Sequence, residues 1–114
     1  MIVEKVLVES VQLTASAAPY YTTSSKVQTV IGQATLCNTT GGAVTATVYL
    51  TPPGASPDPS NAIIWQQSVA AGQTADLFQM VNHVLASSGT SIQAFSDTAT
   101  ALNFRVSGYE RAIT

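Results

Sequence analysis

The sequence predicts an all-β protein: a single antiparallel β-sandwich, jelly-roll or immunoglobulin-like, of about 7–8 short strands. Three observations lead there. Apolar, β-branched and aromatic residues alternate with polar ones at a period of two. Clusters of Gly, Pro, Asn and Ser interrupt that alternation at regular spacing. No segment carries the i, i+3, i+4, i+7 apolar spacing of an amphipathic helix over three turns. The 114 residues make room for one domain, spanning 1–114.

Taken in order, residues 3–15 supply one or two strands, with Val6 and Val8, then Val11 and Leu13, turned inward. The alternation of charged and apolar residues over 1–15 also suits a strand that exchanges with a neighbouring subunit. Residues 27–37 read as a strand with Val30, Ala34 and Leu36 inward and Gly32 marking a bend or close approach. Asn38-Thr39-Thr40-Gly41-Gly42 is a turn expected to join it, as a hairpin, to VTATVYLT at 44–51. There Val44, Ala46, Val48 and Leu50 face the core, and Thr45, Thr47, Tyr49 and Thr51 face away. The segment 52–61 holds four of the five prolines and is an exposed connection. Strands follow at 62–69 and 75–81, the latter with Leu77 and either Met80 or Val81 inward, and 82–86 is expected to make one helical turn. A second hairpin closes the chain: Ile92 and Ala94 inward on 91–96, a turn at 97–100, and Leu102, Phe104 and Val106 on the return.

Composition narrows function. Four Lys and Arg face six Asp and Glu, and the four basic residues are scattered, too few to neutralise a run of phosphates. Nucleic acid and anionic membrane are therefore not expected partners, and no apolar run is long enough to cross a bilayer. Residues 1–10 lack a continuous apolar stretch, so the chain is expected to be made in a cytoplasm and to stay soluble. Low surface charge gives little repulsion between copies: the strands at 27–37 and 44–51 have only Lys26 beside them, and unblocked edges of that kind invite pairing. A homo-oligomer is expected, a trimer ahead of a dimer.

No catalytic, cofactor or metal site is expected. His83 is the single histidine and has no carboxylate near it in sequence. Cys37 stands alone, so no intrachain disulfide forms, and its 46-residue offset from His83 is not a zinc-ligand spacing. Asp58 and Asp97 sit in turn sequences, and Gly41-Gly42 lacks the Lys-Ser or Lys-Thr of a phosphate loop. Trp65, Phe78, Phe95 and Phe104 read as core or interface fillers. Tyr20, Tyr21, Thr45, Thr47 and Tyr49 are the candidate partner contacts, since a tyrosine pair shows one ring to each face and the others share the outward face of 44–51.

The run YYTTSSKVQTVIGQATLCNTTGGAVTATVYL, followed by a proline-bearing loop, SVAAGQTADLF and VLASSGTSIQAFSDTATALNFRVSGYE, resembles small β-sandwich virion proteins of tailed bacteriophages over about residues 20–110. The likeness lies in the turns at 38–42 and 70–74, the SSGTSIQA segment and the closing FRVSGYE. It implies a non-enzymatic structural protein of the virion, decorating or cementing the capsid through contacts with the major capsid protein or other virion proteins. A tail, baseplate or fibre component, or a carbohydrate-binding receptor-recognition module, is the alternative.

Overall fold

The computed structural model describes residues 2–112. Met1, Ile113 and Thr114 lie outside the described residues, and with them the outermost positions of the expected 1–114 domain and 1–15 strand region. Nine strands follow one another: β1 (Ile2–Gln12), β2 (Ala18–Thr22), β3 (Val27–Asn38), β4 (Val44–Thr51), β5 (Ala62–Val69), β6 (Thr74–Asp76), β7 (Val84–Leu85), β8 (Ser91–Ser96) and β9 (Leu102–Ala112). Short 3-10 turns occupy Pro59–Asn61 and Phe78–Met80. Sheet I runs β1-β9-β3-β6 with β7 also paired to β3, and sheet II runs β2-β8-β4-β5. All pairings are antiparallel, and the two sheets form the expected sandwich.

The core is where alternation places it for most strands. Leu36, Phe104 and Val106 of sheet I and Val48, Ile92 and Ala94 of sheet II are fully buried. Burying a side chain of this kind stabilises the fold by roughly 1.5–3 kcal/mol. Leu77 and Met80 are buried as expected, although the strand they were assigned to is only Thr74–Asp76 and a 3-10 turn carries Met80.

Both expected hairpins are corrected. β3 belongs to sheet I and β4 to sheet II, and β8 and β9 are likewise on opposite sheets. Alternation says that each strand has one buried face; it does not say whether two successive strands lie side by side or face each other. Asn38 decides the first case. Its Nδ2 donates to the carbonyls of Gly42 (2.8 Å) and Val69 (2.9 Å), while its Oδ1 accepts from the amide of Thr40 (2.9 Å). A side chain at the end of β3 is thereby tied to the last residue of β5 in the other sheet. At the second crossing the Asp97 amide donates to the Thr45 carbonyl (3.1 Å), and the Asp97 carboxylate accepts from the Thr45 amide (3.1 Å).

Phase also shifts within strands. In β3 the inward residues before the bend are Thr29 and Ile31, not Val30, because Gly32 is an extra residue between the pairs Ile31–Gly108 and Gln33–Ser107. In β1 a bulge between Val6 and Val8 leaves Leu7 and Val8 both buried and Val6 half-exposed. Residues 82–86 make no helical turn. The Asn82 amide donates to the Ile31 carbonyl (2.7 Å) and the His83 carbonyl accepts from the Ile31 amide (3.0 Å), which lays this segment along β3 as β7.

Candidate functional site

Of the five expected contact residues, Thr47 and Tyr49 are not surface groups. β4 is a central strand, so its outward face is covered by its neighbours. Thr47 is 2% exposed and its hydroxyl accepts the Gln66 amide (3.2 Å); Tyr49 is 7% exposed and stacks on Phe95, centroids 6.3 Å apart. Thr45 is half-buried, with its backbone held by Asp97. Tyr20 and Tyr21 do not point to opposite faces. A bulge between Pro19 and Tyr21 makes Tyr20 an extra residue, and both rings pack on the core. Tyr20 meets Phe104 edge to face at 6.2 Å.

Tyr21 joins the two sheets. Its hydroxyl donates to Glu110 Oε2 (2.5 Å) and lies 2.7 Å from Thr29 Oγ1, and Lys5 Nζ stands 3.4 Å from the same Glu110 oxygen. Burial, and then the hydrogen bond and charge of Glu110, push the Tyr21 hydroxyl up from 10.0 to about 12, against a smaller opposite effect of Thr29. The four groups clamp β2 onto β1, β9 and β3. This is a structural pin.

Two of the aromatic fillers are outside. Phe78 is 75% and Trp65 55% exposed, and with Ile2 (60%), Val3 (47%) and Val84 (50%) they are the large apolar side chains left on the surface among the described residues. Their placement is not scattered. Ile2 and Val3 lie on β1, Val84 on β7 and Trp65 on β5, all edge strands, and Phe78 follows the edge strand β6 directly. The sequence marked Trp65 and Phe78 as core or interface fillers and gave no such reading for Ile2, Val3 and Val84, because alternation cannot separate an edge strand from a central one.

The strands at 27–37 and 44–51, expected to be unblocked edges, are central in their sheets as β3 and β4. Three of the true edges, β2, β5 and the far half of β1, are guarded by irregular backbone. β2 holds Pro19 and a bulge; β5 bulges at Gln66, whose φ is +52°. β1 is bulged after Val6 and again between Val8 and Val11.

Gly32, Gly108 and the first β1 bulge fall on one line across sheet I, since Lys5 and Ile31 both pair with Gly108. Gly108 is required there: a Cβ on it would stand 2.1 Å from the Val30 carbonyl oxygen. The resulting crease opens a groove on the outward face, lined by Glu4, Val6, Gln33 and Tyr109, and continues into a second between Gln33, Asp76 and Phe78. Beyond the crease, Ile2–Val6, Gly108–Ala112, Val27–Ile31 and β7 form a four-stranded ribbon at one end of a molecule 48 Å long and 26 Å across.

The side chain of His83 is exposed, and Cys37 is half-buried on the outward face between Thr74 and Asn103. Among the described residues no group of three or more His, Cys, Asp or Glu is placed to hold a metal ion, and no helix is long and apolar enough to cross a membrane.

No family model matches the chain, and no curated protein matches it. Among solved structures it is similar to a chain of the Bacillus endospore appendages that form a novel family of disulfide-linked pili. The match covers 99% of this chain and 89% of that one at a TM-score of 0.59 and 14% identity, which is a likeness of fold.

Proposed function

We propose that the protein is a non-catalytic structural subunit that holds its neighbours in a large particle, and that the particle is the virion of a tailed bacteriophage. The observation that carries this is the confinement of Ile2, Val3, Trp65, Phe78 and Val84 to sheet edges and their flanks. Solvent-facing apolar groups cost little singly, but grouped at edges they mark surfaces kept for a partner. The resemblance over residues 20–110 supports the phage virion and the major capsid protein as that partner, with decoration of the head ahead of a tail, baseplate or fibre position. The fold likeness to a protein that builds pili supports assembly as the task. In this reading the subunit is carried on the virion as a homo-oligomer, a trimer ahead of a dimer, and works without cofactor. The test is sedimentation of purified protein with phage heads that lack it. Saturable co-sedimentation, lost in Phe78→Ser with the fold intact, is the expected result; protein left in the supernatant with heads and tails alike overturns the proposal.

A second reading, a carbohydrate-binding receptor module, is favoured by one observation: Trp65 stands exposed on a strand without a charged residue, AIIWQQSV, beside Gln66 and Gln67. A glycan array with the wild type and Trp65→Ala separates the two readings.

A further inference from the structure

We infer that copies of this chain join edge to edge in a heterologous contact, with β1 of one copy lying antiparallel beside β7 of the next. The inference rests on the assembly reading and specifies its geometry. The ribbon end of sheet I has strand order β1-β9-β3-β7, every neighbour antiparallel. Its two outer strands therefore run in opposite directions, so placing the same ribbon beside itself continues one antiparallel sheet. The rest of the edges are obstructed: β2 by Pro19 and its bulge, β5 by the Gln66 bulge, the far half of β1 by two bulges, and β6 by the charge of Asp76 at its end. Ile2–Val6 is regular, and both it and β7 pair on one side only, β1 with β9 and β7 with β3.

The side chains agree. Glu4 pairs with Tyr109, Tyr109 with Val30 and Val30 with Val84, so Glu4 and Val84 share the outward face, as does Ile2. Continuation of the sheet keeps outward residues opposite outward residues. In the register that sets Val84 against Ile2 of the next copy, two half-exposed apolar side chains cover each other and Glu4 falls opposite Asn82. The segment beside them, Asn82 to Ala86, has no acidic residue to meet Glu4. The twofold alternative, β1 against β1, fares worse. A twofold axis also keeps outward residues together, and full overlap of Ile2–Val6 sets Glu4 directly against Glu4 of the second copy, which is unfavourable. A heterologous contact closes into a ring or grows into a filament, and it does not stop at two copies.

Cysteine cross-linking tests this. Residues directly opposed across an antiparallel pair bring their Cβ atoms to about 4.5–5.5 Å, near disulfide reach. In a Cys37→Ser background, one chain carrying Ile2→Cys and Val84→Cys should give a ladder of covalent multimers on oxidation. Each single variant alone should give no covalent multimer on oxidation, and the two should form covalent dimers only when mixed. A chain carrying Glu4→Cys alone that is converted to covalent dimers would mean the twofold contact and overturn the inference. So would a doubly substituted chain that assembles by light scattering but gives no ladder; that result leaves the assembly reading standing. Absence of both assembly and head binding removes the two together.

Discussion

Gly108→Ala tests the crease directly. A Cβ built on Gly108 falls 2.1 Å from the Val30 carbonyl oxygen and 3.1 Å from the Gly32 amide nitrogen, both backbone atoms that cannot rotate aside. The left-handed glycines among the described residues are Gly54, Gly72 and Gly89, so alanine suits the φ of Gly108 and the effect is steric alone. Relief requires β9 and β3 to separate by about 1 Å at the pairs that anchor the ribbon, a disruption of overpacking type worth about 3 kcal/mol. For a domain of this size each kcal/mol moves the melting temperature by roughly 4 °C, so a fall of about 12 °C is expected in a circular-dichroism melt. Gly32→Ala is the internal control. Its Cβ would meet Gly108 Cα and the Ser107 carbonyl oxygen at 3.5 Å, an ordinary contact, and the loss of chain freedom in the unfolded state favours alanine by about 0.4–1 kcal/mol. If Gly108→Ala melted within a few degrees of the wild type, or both variants fell together, the close approach of β9 to β3 would be wrong.

Val48→Asp should unfold the domain, because an unpaired carboxylate at a fully buried site costs roughly 3–5 kcal/mol; Thr47→Val should cost about 1 kcal/mol through the lost acceptor for Gln66, and Thr47→Asp should destabilise also, all read by chemical denaturation. Tyr21→Phe should lower stability by about 1 kcal/mol and abolish a tyrosinate step near pH 12 in an ultraviolet titration. The sign follows from the raised value: the contribution of Tyr21 is complete below pH 10.0 and is lost as pH climbs from there through about 12. Asn38→Ala leaves the carbonyls of Gly42 and Val69 without their donor and should cost roughly 2 kcal/mol in a melt, with Asn38→Asp worse at neutral pH because its carboxylate faces those same oxygens. Cys37→Ser, or added reductant, should leave the oligomer mass in light scattering unchanged.

The fold class was legible because a sandwich writes its buried faces into a period-two pattern, and Val44 to Thr51 and Ala62 to Val69 were bounded correctly. Strand pairing was not. The turns at Asn38–Gly42 and Asp97–Thr100 have hairpin composition, yet each crosses from one sheet to the other, since Asn and Asp side chains that satisfy a tight turn also satisfy a sheet-to-sheet corner. Phase failed beside the bulges at Leu7, Tyr20 and Gly32, because one extra residue exchanges inside for outside. Only Gly32 announced itself, through its lack of a side chain. Tyr20 and Tyr21 shifted for that cause, whereas Tyr49 is outward as expected and is covered by Phe95 of the neighbouring strand.

Those bulges also bear on how a chain so poor in charge keeps its edges apart. With four Lys and Arg against six Asp and Glu, and Lys5–Glu110 as the salt bridge among the described residues, charge offers little repulsion and little steering. Irregular backbone does the blocking on β2, β5 and the distal half of β1, and leaves the stretch Ile2–Val6 and β7 regular. Covalent linkage cannot replace that selectivity here. A chain with one cysteine joins at most one other through a disulfide, so a disulfide-linked array of the kind described for the endospore pili needs at least one more thiol than these 114 residues hold. What the two proteins share is the sandwich. In the proposed assembly, cohesion between copies comes from backbone pairing and apolar side chains, the two resources found together at the ribbon end.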